Sequence, residues 1–134
     1  VKSTPGSIGY FELSFSTQSQ IAYATIGNAE GKFIPLNQNN ATNFLPQAKV
    51  VGTGDDLKLQ FDYAAADVTA YPNLLVTYEI VCSKGNAPDK LSLPKNFLGY
   101  AASPAGQQQL PSQGYTSLPD DLQRQVRQSI ASLG

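Results

Sequence analysis

The chain contains no histidine, no methionine and a single cysteine in 134 residues. Without histidine, neither a Ser-His-Asp relay, a His-Cys zinc site nor an H-E-x-x-H helix can be assembled from these residues. Cys82 has no imidazole to activate its thiol. Lying within an apolar run, it is expected to be buried as a small hydrophobe; the alternative is a disulfide to a cysteine upstream of this sequence, as suits an exported protein. The absence of methionine and the opening valine predict a processed or cleaved product. Charge of one sign is also scarce: the net charge is -1 and the pI about 5.2, so the clustered Lys and Arg that nucleic-acid backbones require are missing and that class of partner is excluded. No apolar stretch approaches the roughly 20 residues of a membrane-spanning helix, which predicts a soluble segment. No charged-then-apolar start resembles a signal peptide.

What is present is a polar, turn-rich chain with 11 Gly and 9 Pro. The length suits one domain burying about two thirds of its unfolded surface. The apolar runs stand in separated clusters, however, so the core is expected to be shared with sequence outside this chain. The Thr4-Pro5-Gly6-Ser7 turn predicts a strand over 7–13, with Gly9 marking a close approach. Residues 12–20 read as strand or short helix. A strand over 22–26, turns at Gly27-Asn28 and Glu30-Gly31, and a return over 33–36 predict an edge hairpin. Residues 37–43 form an Asn-rich cap, and 41–51 predict one helix interrupted at Pro46. Leu57 to Phe61 alternates at the strand period, and 64–68 predict a helical turn.

The strongest strand signal runs from Leu74 to Val81, a Leu, Val and Ile-rich stretch of the kind covered on both faces. Beyond it, Pro88 sits where a first-turn proline is tolerated and predicts a helix over 88–101. Pro94 argues for a start nearer Leu93, since an interior proline costs about 3 kcal/mol or more. A short helix is predicted over 104–110. The clearest element is the last: Leu118, Leu122, Val126, Ile130 and Leu133 recur at helical spacing, with Pro119 opening it and Asp120 and Asp121 at its positive end. Arg124 and Arg127 read as its solvated face.

Few motifs carry chemistry. Gly52-Thr53-Gly54 lacks the rest of a nucleotide loop and reads as a turn. The pairs Asp55-Asp56 and Asp120-Asp121 are adjacent rather than facing, which makes no acid and base. No metal site or cofactor site is indicated. Asn40-Ala41-Thr42 fits the N-glycosylation pattern, a tripeptide common by chance. Tyr10, Tyr71, Tyr78 and Tyr100 are expected in the core rather than on a sugar-binding surface.

Three segments carry a family likeness: the opening 3–12, STPGSIGYFE; the run from Tyr71 to Ser83; and Phe97-Leu98-Gly99-Tyr100-Ala101 followed by Gly114-Tyr115-Thr116-Ser117-Leu118-Pro119 and the last helix. In order and spacing they resemble the carboxy-terminal portion of the substrate-binding protein of phosphate ABC transporters, a periplasmic-binding-protein-class receptor. That resemblance favours a helix over 12–20. It implies an α/β fold, part of a two-lobe receptor with both lobes incomplete: 1–70 in one lobe, 71–77 crossing as a hinge strand, and 78–134 in the other. Ala70, Tyr71, Pro72, Asn73, Leu74 and Leu75 are then the hinge candidates.

The same likeness implies a receptor rather than an enzyme. Its complete form would take up inorganic phosphate and deliver it to an ABC permease, outside the cytoplasm and tethered as a lipoprotein through an amino-terminal part. The family's phosphate-holding groups, an amino-terminal Thr-Gly and Ser segment, an Asp and an Arg-x-Asp-x-Ser-Gly-Thr loop, do not occur in these 134 residues. Ser7 and Tyr10 remain as cleft-edge candidates, with turn and strand start as the simpler reading. A complementary amino-terminal fragment is therefore an expected partner. The other function class is a phosphate-independent interaction module of a cell-surface assembly, which a large exposed apolar patch would favour.

Overall fold

A computed structural model describes residues 1–64 and 69–134. The fold mixes helix and strand, as expected. The predicted helical turn over 64–68 lies largely outside the described residues. The first helix, α1 (Leu13–Ser19), ends on Gln20, which takes the left-handed conformation with φ 52°. A two-residue-per-strand hairpin follows, β1 (Ile26–Gly27) antiparallel to β2 (Phe33–Ile34). Its turn is built on Asn28, whose Oδ1 accepts from the backbone N–H groups of Glu30 and Lys32 at 3.1 and 2.9 Å. The hairpin is thus where the glycine and asparagine signals place it, but shorter.

Asn37 caps α2 (Gln38–Thr42), its Oδ1 accepting from the Asn40 N–H at 2.8 Å. The helix expected over 41–51 does not form. Pro46 lies in a 3-10 turn (Leu45–Gln47), and the chain then enters β3 (Ala48–Val50), antiparallel to β4 (Leu59–Phe61). Proline cannot continue a helical hydrogen-bond ladder, and the β-branched pair Val50-Val51 beyond it favours a strand. The alternating residues 57–61 supply the partner.

A second body of helix closes the chain. α3 (Pro88–Ala101) runs unbroken through Pro94, so the expected later start near Leu93 is not observed. α4 (Pro104–Gln109) is capped by Ser103 and passes into a 3-10 turn (Leu110–Gln113) that stops at Gly114, φ 84°. α5 (Asp120–Ser132) begins after Pro119 with both aspartates in its first turn, where they favour the positive end of the dipole.

Two predicted strands are not present. Of the strand expected over 7–13, residues 7–12 carry no ladder and Leu13 opens α1, and 74–81 likewise carries no ladder among the described residues; Ile8 and Ile80 are each 95 % exposed. Backbone N–H and C=O groups settle into a strand only when a neighbour pairs them, and here no neighbour does. Close approach at Gly9 is real but comes from side chains, with Val1 Cγ2 2.8 Å from where a Cβ would stand. Cys82, expected buried, is a free and exposed thiol, because the apolar run that it ends is itself unpaired. Of the four tyrosines expected in the core, only Tyr71 is buried; Tyr10, Tyr78 and Tyr100 are exposed.

The core is correspondingly small. Ile34, Ala41, Phe44, Leu45, Ala70 and Tyr71 bury together with Ala102 as an outlier in the helical part. Phe44, 1 % exposed, stacks on Phe61 at 5.1 Å between ring centroids and meets Tyr63 at 5.6 Å. The chain exposes 9171 Å², whereas a compact monomer of its mass exposes roughly 6,800 Å².

Candidate functional site

The segment from Thr69 to Leu75 joins the strand-bearing and helical parts and holds the six hinge candidates. Its first part is fixed. Ala70 and Tyr71 are buried, the Tyr71 N–H donates to the Asn40 carbonyl at 2.8 Å, and Asn43 Nδ2 donates to Thr69 Oγ1 at 2.9 Å. Its second part is not: Pro72 and Leu74 are half-buried while Asn73 and Leu75 are exposed. Burial pushes the Tyr71 phenol above its ordinary range, with nearby Tyr10 adding to the effect. Tyr10, the other aromatic candidate, is 68 % exposed.

Ser7 is used elsewhere. Its Oγ donates to the carbonyls of Thr4 and Val1 at 2.6 and 3.0 Å, closing the opening turn, so the turn reading of this residue is the one its geometry supports.

Below this segment the two parts are tied across long sequence separations. Tyr115 Oη donates to Glu12 Oε2 at 3.2 Å and Gln38 Nε2 to the Tyr115 carbonyl at 3.1 Å. The Leu59 N–H donates to Tyr78 Oη at 2.9 Å, and Ser132 Oγ to Asp55 Oδ2 at 2.8 Å. No sequence signal marks these contacts, because a single hydroxyl or amide has no periodicity.

Five of the nine cationic side chains are engaged by neighbouring groups. Lys32 pairs with Glu30 and Arg124 with Asp121; Lys2 Nζ donates to the Ser19 carbonyl at 2.8 Å. Lys95, Gly99, Arg127, Ile130 and Ala131 line a shallow depression of about 250 Å³ between α3 and α5. There Lys95 Nζ donates to the Ala131 carbonyl and Arg127 Nη1 to the Ala102 carbonyl, each at 3.3 Å. Both cations thus neutralise carbonyl-rich helix ends. Arg127, read as solvated face, does this while remaining largely exposed. Among the described residues no group of three His, Cys, Asp or Glu could hold a metal ion, and no helix is long and apolar enough to cross a membrane.

No protein-family model and no solved structure matches the chain. Curated relatives do. The phosphate-binding protein PstS 3 of Mycobacterium tuberculosis is 33% identical over 135 residues, covering 98% of this chain and 36% of the relative. PstS 3 of Mycobacterium leprae is 34% identical over 129 residues, covering 94% and 35%. PstS of Methanocaldococcus jannaschii is 28% identical over 132 residues, covering 91% and 33%. The chain spans about a third of the length of the relatives it matches. The likeness read from the opening turn, the Tyr71 run and the closing helix is thereby borne out: over nearly its whole length this chain is similar to phosphate-binding proteins of the PstS type.

Proposed function

We propose that the chain is the carboxy-terminal portion of an extracytoplasmic receptor that binds inorganic phosphate and hands it to an ABC permease, acting by capture and not catalysis. The observation that carries this reading is similarity over 98% of the chain to a phosphate-binding protein. The receptor would be of the two-lobe periplasmic-binding-protein kind, with residues 1–70 in one lobe, 71–77 crossing, and 78–134 in the other. Ala70 to Leu75 would absorb the dihedral change of closure. Movement there has to break or carry along the Tyr115–Glu12 and Tyr78–Leu59 contacts.

The groups that hold phosphate would come from a complementary amino-terminal part, through which the receptor would also be tethered at the periplasmic or cell-surface side. Two observations support such a part. The family's anion-holding motifs do not occur in this sequence, and the chain exposes roughly 2,400 Å² more than a compact monomer of its size, an excess of the order covered in obligate interfaces.

A second reading is a phosphate-independent interaction module. It is favoured by the exposed large apolar residues Ile8, Tyr10, Leu75, Ile80, Leu93 and Phe97. Calorimetry separates the two. The chain alone is expected to show no tight phosphate binding, and a chimera in which it replaces the matched third of Mycobacterium tuberculosis PstS 3 is expected to bind phosphate. A folded chimera indifferent to phosphate would favour the interaction module.

A further inference from the structure

α3 and α5 lie antiparallel, with Asn86 beside Gly134, Lys95 beside Ala131 and Ala102 beside Arg127. The depression of about 250 Å³ between them has unlike ends and middle. Lys95 stands at one end and Arg127 at the other. Four residues on α5 and seven on α3 separate the two bonded positions, so at a rise of about 1.5 Å per residue the cationic heads stand roughly 6 to 10 Å apart. The middle is apolar, formed by Gly99, Ile130 and Ala131 with the aliphatic stems of both cations beside them. Gly99 keeps it open: a Cβ there would meet no atom within 4 Å, although glycine inside a helix costs stability relative to alanine.

Neither cation has a carboxylate partner among the described residues. The ion pairs are Lys32–Glu30 and Arg124–Asp121, and Asp55, which reaches the end of α5, accepts from Ser132. Lys95 and Arg127 each spend one donor on a helix carbonyl at 3.3 Å, whereas a lysine carries three donors and an arginine five.

We propose that this crevice binds a short aliphatic dicarboxylate of the succinate or glutarate class, with one carboxylate on Lys95, the other on Arg127, and the methylene chain against Gly99 and Ile130. Two negative charges on an apolar body complement two cations set at the ends of an apolar floor. Inorganic phosphate fits poorly, because its oxygens need donors gathered around one point and here the donors stand apart at two. The site is separate from the receptor reading and does not depend on it.

Succinate titrated into the isotope-labelled chain is expected to give saturable amide shifts at Gly99, Ile130 and Ala131. The same titration in the chimera with the Mycobacterium tuberculosis relative, held in saturating phosphate, is expected to give the same shifts and frees the test from whether the chain folds alone. Butyrate, which lacks the second carboxylate, is expected to bind about fivefold more weakly, as is succinate to Lys95→Gln or Arg127→Gln. Gly99→Leu fills the middle, leaves both cations in place and is expected to abolish saturation. Succinate binding unchanged in Gly99→Leu would overturn the proposal. So would equal shifts from succinate and inorganic phosphate in the chain alone at matched ionic strength, which would show unspecific attraction to two surface cations, or the absence of saturable shifts in both proteins.

Discussion

Tyr115 donates its phenolic proton to Glu12 Oε2 at 3.2 Å, joining residues 103 positions apart. Its neighbour Gly114 completes the contact. A Cβ on Gly114 would stand 3.0 Å from the Ser14 Cβ, and its φ of 84° already favours glycine.

The hydrogen bond to Glu12, with the carboxylate's charge behind it, holds the Tyr115 phenol above the ordinary value of 10.0. The fold favours the protonated phenol, so this contribution is fully present below the unfolded pKa and is lost as pH rises through the folded one. Absorbance titration of single-tyrosine changes is expected to find Tyr115 ionising later than a free tyrosine. Glu12→Gln is expected to move it back toward the ordinary value; an unchanged titration in that variant would show that the contact does not persist in solution.

Gln107 is buried and spends every polar group it has. Nε2 donates to the Ala101 carbonyl at 2.8 Å, Oε1 accepts from the Leu118 N–H at 2.8 Å, and its own carbonyl accepts from Ser117 Oγ at 3.0 Å. Gln107→Leu strands a donor and an acceptor, each costing about 1–3 kcal/mol. Urea unfolding should show a loss in that range or above it. A near-neutral result would mean that water replaces the amide.

Gly106 has no room for a side chain. A Cβ there would fall 2.2 Å from the Tyr100 carbonyl oxygen and 3.0 Å from that of Ala101, so backbone must shift. Gly106→Ala is expected to destabilise the α3–α4 corner by about 1–3 kcal/mol, read as a lower urea midpoint. The neighbouring Ala105→Gly, at an exposed position, serves as the control for helix propensity.

Among the described residues Phe44 is the one large side chain that is essentially fully buried, stacked nearly parallel to Phe61 with an interplanar angle of 6°. Phe44→Ala is expected to cost about 3–5 kcal/mol, and Phe44→Leu less. Because this cluster joins Phe61 of β4 to the start of the 3-10 turn that leads into β3, amide exchange at residues 48–50 should accelerate together with that loss. Exchange unchanged in a destabilised variant would uncouple the hairpin from the ring stack.

The parts of the fold legible in the sequence are those whose information is local. Helical spacing from Leu118 to Leu133 located α5, the glycine and asparagine turns located the hairpin, and alternation over 57–61 located β4; α2 falls inside the segment read as a cap, ahead of the helix expected over 41–51. Pro94 misled, because the cost of an interior proline weighs against helix locally while the packing of α3 on α5 is not visible from the sequence. For the candidate site, the sequence singled out Tyr10 and Tyr71 separately, and folding buried Tyr71 while leaving Tyr10 exposed.

By itself the sequence determined the absence of histidine chemistry, the position of the last two helices, and the similarity to phosphate-binding proteins, since each depends on residue identity or short-range spacing. Only the tertiary structure decided which apolar runs are covered. Leu74 to Val81 has every local mark of a buried strand, yet a strand exists only when a second one satisfies its backbone. That partner is not among the described residues, so Ile80 and Cys82 stand in solvent.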